Sequence, residues 1–217
     1  MRVLRVSYAE DDQPRSLRDP GIRQRRQSML SEPRIAPLTK FVADLRKRHH
    51  PWKVPDFDPR DGGVDATILF LFEKPGPMTD AFRKGKPGSG FVSRNNDDPT
   101  AEWTCRFMKC AAIPRCSTLI WNVIPWWDEH ISFNNADRAV ALPELERLLW
   151  GEPRLLPQLH TVVLVGRTAE KARAHLRDLR VIPSPHPSPK VRATNRALWN
   201  SIPGIWRTAG SPPMPVS

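Results

Sequence analysis

The chain has 217 residues, enough for one α/β domain with a buried core and some peripheral segments. Its hydrophobic fraction is 39%, its formal net charge is +11 and its pI is about 10.3, an excess of positive charge that points to an anionic partner, nucleic acid before others. No apolar run approaches the roughly 20 residues of a membrane helix, and residues 1–12 lack the apolar stretch of a secretory signal, so a cytoplasmic protein without a membrane partner is expected.

Residues 1–34 show no clear period and include the basic knot Arg23 to Arg26, and the first 60 residues hold 14 Lys plus Arg against 8 Asp plus Glu. A basic, flexible N-terminal arm is the expectation for 1–34. Leu38, Phe41, Val42 and Leu45 then fall at i, i+3, i+4 and i+7, one face of an amphipathic helix. The run Arg46-Lys47-Arg48 ends it and reads equally as a helix C-terminal cap or as a DNA contact.

Thr67 to Phe72 is a continuous apolar run of strand length between the turn signals Asp61-Gly62-Gly63 and Pro75-Gly76-Pro77. Asp98-Pro99 pairs an N-cap with proline at the first helical position, and Trp103, Phe107, Cys110 and Ala111 line one face beyond it. Cys105, Cys110 and Cys116 match neither a zinc ribbon nor a common iron–sulfur spacing, so they read as reduced thiols and no metal or cofactor is expected. Ser117 to Val123 is a second strand, Thr161 to Val165 a third and Leu179 to Ile182 a fourth. Leu145, Leu148 and Leu149 mark a helix between them. Thr168 is placed to cap another along Ala169, Ala172, Leu176 and Leu179, and a last helix runs from about Ala193 to Ser201. Alternating strands and helices imply an α/β fold, a three-layer α/β/α arrangement around a central, mainly parallel four-stranded sheet. The domain spans 35–208, and the Pro/Ser-rich residues 209–217 read as a disordered tail.

Ligands in such sheets sit beyond the carboxyl ends of the strands, and the polar residues of note cluster there. Glu73-Lys74-Pro75-Gly76-Pro77 follows the first strand, with Gly88-Ser89-Gly90-Phe91-Val92 and Asn95-Asn96-Asp97-Asp98 further on. Asn122 and Pro125-Trp126-Trp127 follow the second strand, and Pro185-His186-Pro187-Ser188-Pro189 follows the last. Singly, each has an ordinary reading as a turn, a flexible loop, a cap or a proline linker. Their order, all at strand ends, is what carries information.

That ordered set resembles the uracil-DNA glycosylase superfamily over roughly Val64 to Trp206. Phe72 to Gly76 is similar to its Gly-Glu-Ala-Pro-Gly-type loop, and His186 to Pro189 matches its His-Pro-Ser-Pro loop in full. The resemblance implies a hydrolytic DNA glycosylase, acting as a monomer, that flips a deaminated base out of DNA. It implies that Phe91 stacks on that base and that Asn122 reads its edge. His186, as a neutral donor near O2, would stabilise the departing anion. Pro187, Ser188, Pro189 and Lys190 form a stiff DNA-facing loop under the same comparison.

Three departures from the family pattern affect chemistry. Phe72 stands where glycine is usual, and Lys74 stands where a small, acidic or amide residue helps place the attacking water. Glu73 or Asp97 is then the substitute base, and Lys74 is expected to grip a phosphate rather than form a Schiff base. Gly76 and Thr79 stand where other branches carry a residue that excludes thymine. The four cysteines of the iron–sulfur branches are missing. Uracil is the expected base. Excision of hypoxanthine, xanthine or mismatched thymine, or a catalytically silent DNA-binding member, are the alternatives. Trp126-Trp127 reads as core plus rim, or as a platform for stacking on single strands.

Overall fold

The computed structural model describes residues 10–210; the expectations for 1–9 and 211–217 fall outside the described residues. In chain order the elements are α1 (Pro20–Ser28), α2 (Ala36–Arg48), β1 (Asp56–Phe57), β2 (Ile68–Phe72), β3 (Phe91–Val92) and α3 (Pro99–Cys110). They are followed by β4 (Thr118–Asn122), α4 (Asn135–Trp150), β5 (Thr161–Val165), β6 (Arg180–Ser184), α5 (Pro189–Thr194) and α6 (Arg196–Ala209).

The class is α/β, as the alternation implies. β4, β2, β5 and β6 form one sheet in that order, and every pairing in it is parallel. All residues of β2, β4 and β5 are buried, so both faces of the sheet are covered. β2 leads outward to β4 while its neighbour β5 leads outward to β6. The chain therefore reverses direction between β2 and β5, which opens a crevice beyond their carboxyl ends. α6 packs on β5, β6 and α3, and it buries Trp199, Ile202 and Trp206 along one face. The indole of Trp206 donates to Ser184 Oγ at 2.7 Å, which anchors the end of β6 just before the His186 loop.

Several local expectations hold. α3 begins where Asp98-Pro99 predicts, with the Asp98 carboxylate accepting from Ala101 N at 2.9 Å. α2 buries Leu38, Phe41, Val42 and Leu45. Others need correction. The helix after Thr168 is a 3-10 segment, Ala169–His175, without a side-chain cap; its buried pair Ala169 and Ala172 fits an i, i+3 period. The expected single last helix is two, split at Asn195. Trp126 and Trp127 are both buried, so they are no platform for bases; Trp126 stacks on Trp52 at 3.7 Å.

The flexible arm is also corrected for residues 10–34. Leu17, Ile22 and Leu30 are buried there, and Asp19 caps α1 by accepting from Gly21 N at 2.7 Å. Arg26, one residue of the basic knot, is 1% exposed. Its guanidinium bonds Asp58, Ser93 Oγ at 3.2 Å and Asn95 Oδ1 at 2.9 Å. Arg115 adds contacts to Asp58 at 2.7 Å and Asp61 at 2.9 Å. Burial pushes the Asp58 carboxyl up, but Arg26, Arg115 and the Ser93 hydroxyl outweigh it and hold the group down to about 2. One cation of the basic knot, Arg26, has turned inward onto a buried acid, while Arg25 stays exposed.

Candidate functional site

A cavity of about 720 Å³ lies at the reversal point of the sheet. Phe72 to Thr79 supply one wall, Asn122 at the end of β4 another, and His186, Ser188 and Lys190 close it beyond β6. The sheet itself sets these positions. Phe72 and Asn122 are register partners across β2 and β4, and the ladder continues past the strands through Val123 N to Phe72 O at 2.8 Å and Ile124 N to Glu73 O at 2.9 Å. Glu73 and Asn122 are thus held by backbone that barely leaves the sheet.

Asn122 is 3% exposed, and its Oδ1 is buried without a hydrogen-bond partner. An unpaired buried acceptor costs about 1–3 kcal/mol. Here it belongs to a side chain on the wall of a cavity, where a ligand donor is able to satisfy it.

His186 is a second unusual group. Its ring meets the edge of Phe72 at 5.6 Å between centroids and 87° between planes. On another side lies Gly166, at φ +92°, where a Cβ would sit 3.4 Å from His186 Cβ and Cδ2. Desolvation pushes the imidazole down to about 4 from its usual 6.5, so it is neutral at physiological pH. Phe72, the last residue of β2, therefore helps to keep this histidine uncharged.

No protein-family model matches the chain, and no curated protein matches it.

Glu73, Lys74, Gly76, Asn122, His186, Ser188 and Lys190 come together at the cavity as the motif order implies. Lys74 differs in what its ammonium does. Its side chain is 2% exposed, and Nζ donates to Asp128 Oδ1 at 2.6 Å and to Ser132 O at 3.3 Å. It ties down the loop after β4 instead of waiting for a phosphate. Ser188 caps α5 by accepting from Val191 N at 3.4 Å, Pro187 is buried, and Pro189 opens the helix.

Two expected residues are off the wall. Phe91 is fully buried in β3, where pairing with β1 sends its ring into the core; Val92, one residue on, faces the cavity. The aromatic on the wall is Phe72. Asp97 points elsewhere, to Lys86 at 2.6 Å and Arg15 at 3.4 Å. The Lys86 hydrogen bond holds its carboxyl below the usual value against a smaller push from burial, which makes it a weaker base. Its neighbour Asp98 is the one on the wall, with burial raising its pKa against the opposing backbone N–H bonds at the start of α3.

Arg94, Asn96 and Thr104 also line the cavity and are buried. Asn96 has a partner at each end of its amide, accepting from Ser89 Oγ at 2.6 Å and donating to Phe91 O at 2.9 Å. Arg94 pairs with Asp61 at 3.2 Å and bonds the Thr118 hydroxyl. The signal for Asn96 was the polar run Asn95 to Asp98; Arg94 and Thr104 lie outside that run and left none. Among the described residues, no group of three or more His, Cys, Asp or Glu is arranged to hold a metal ion.

Proposed function

We propose that this chain is a DNA glycosylase that flips a deaminated base, uracil foremost, into the cavity and hydrolyses its glycosidic bond. The observation that carries the reading is the unpartnered Oδ1 of Asn122 on the cavity wall. It calls for a donor. Uracil offers N3–H there and accepts at O4 from the Asn122 amide, whereas cytosine presents the opposite pattern and leaves two buried groups unpaired. A mismatch of that kind discriminates by roughly 10⁴-fold.

The remaining residues fit the chemistry. Bond cleavage leaves an oxocarbenium-like sugar and an anionic base. A neutral His186 donates to the developing charge at O2, an interaction stronger in the transition state than before it. Phe72 offers its ring to the extruded base, a contact worth about 1–3 kcal/mol when aromatic and base stack. Two carboxylates face the cavity, Glu73 and Asp98, and one of them takes the proton from the attacking water. Burial raises the Asp98 pKa, which suits that role. The formal charge of +11 and Lys190 at the rim favour a polyanionic substrate.

A second reading, excision of mismatched thymine as well, draws support from Gly76. A Cβ added there meets nothing within 4 Å, so no side chain crowds the space where a C5 methyl would be refused. One experiment separates these readings. Labelled oligonucleotides carrying uracil, hypoxanthine, xanthine or a G·T mismatch are incubated with the protein, and abasic sites are then cleaved with alkali. Product from uracil is expected. Product from G·T as well would establish the broader specificity, and folded protein giving no product from any of them would refute the enzyme and leave a DNA-binding protein at most.

A further inference from the structure

The segment between the β2 loop and β3 makes a finger beside the cavity. Its neck is closed by two backbone bonds, Gly88 N to Asp80 O and Ser89 N to Met78 O, each at 2.8 Å. The two passes of chain are pressed so close at the neck that a Cβ on Gly88 would lie 2.6 Å from the Met78 carbonyl. Asp80 braces the base from inside. Its carboxylate accepts from Phe82 N at 2.9 Å and from Lys53 Nζ at 3.1 Å. Pro77, Met78 and Thr79, where the finger starts, line the cavity.

Beyond this neck, residues 81–87 are all exposed. They contain Arg83, Lys84 and Lys86 and no acidic residue. Close to the neck stands Phe82, 89% exposed, more than any other large hydrophobic side chain among the described residues. A loop that merely connected two strands would not need a braced neck, and it would not hold its one aromatic ring in water. An exposed ring among cations, at the rim of a cavity, suits a ligand that is both anionic and stacked.

We propose that Phe82 is a wedge that enters the base stack of duplex DNA bound across the cavity, while Arg83 and Lys84 hold the flanking phosphates. This rests on the reading of the cavity as a pocket for an extruded base. Extrusion leaves a gap in the stack, and an apolar ring driven into that gap keeps the base from returning. Lys86 Nζ is bound to Asp97 at 2.6 Å and so steadies the finger against the segment before α3.

The test uses the full chain and a short duplex carrying 2-aminopurine beside 2′-fluoro-deoxyuridine, whose glycosidic bond resists cleavage. Unstacking of the reporter raises its fluorescence. Wild type is expected to raise it, Phe82→Trp to retain the response, and Phe82→Ala to weaken the titration by about tenfold. An undiminished response from Phe82→Ala, no response from wild type, or a stronger one with an RNA duplex of the same sequence would each overturn the proposal. Excision from an ordinary uracil duplex is measured in parallel. A Phe82-dependent fluorescence response without excision would sink the glycosylase reading and leave the wedge. Excision with a response that ignores Phe82 would do the reverse.

Discussion

His186 owes its chemistry to what surrounds it. Phe72 and the Cβ-less Gly166 let the imidazole sit where water does not solvate its charged form, and its pKa falls to about 4. In the unfolded chain it titrates near 6.5, so below that pH the unfolded state binds the proton first. Stability from this group is complete above about 6.5 and is lost as pH falls toward 4. Urea unfolding should therefore show a loss of about 1–2 kcal/mol between pH 7 and pH 5, and His186→Gln should remove most of that slope. An equal slope in the variant would mean that the histidine is solvated. Asn122, His186, Glu73 and Gly76 were legible from motif order because each stands within a few residues of a strand end. Phe91 was not. Which of two adjacent residues faces a cavity depends on a two-residue pairing, β1 with β3, that leaves no periodic trace. Asp97 and Asp98 pose the same difficulty, although the N-cap signal at Asp98-Pro99 fixed where that side chain had to point.

Among the elements, the four strands of the main sheet were readable because buried parallel strands are unbroken apolar runs, and runs of that kind sit at β2, β4 and β5. β6 is less buried and begins one residue later than its apolar pattern suggested. The loops were readable as positions but not as partners. Lys74 is the clearest instance, since its contacts with Asp128 and Ser132 span 54 and 58 residues of chain. That clamp couples the loop after β2 to the loop at 128–134, whose Ile131 is 75% exposed at the mouth of the cavity. Lys74→Met should accordingly release 128–134, with amide exchange there about tenfold faster and the sheet amides unaffected. Unchanged protection in that loop would show that the clamp holds nothing.

At the scale of the molecule, a parallel sheet supplies a crevice where the chain reverses, and a buried ionic cluster fixes the segment before it. Arg26 reaches Asp58 and Asn95 across 32 and 69 residues. Composition marked this segment as basic and could not show that Arg26 faces inward. The crevice, in contrast, follows from strand order and collects side chains from three separate strand ends. Among them, the acceptor of Asn122 is buried and unpaired, as the proposed reading of a base edge requires. The direct measurement is the single-turnover rate of uracil excision by wild type and by Asn122→Ala, with folding of both checked by circular dichroism. The account predicts excision by the wild type and a fall of about 10²–10³-fold in the variant. A variant rate within about twofold of wild type, from equally folded protein, would contradict it.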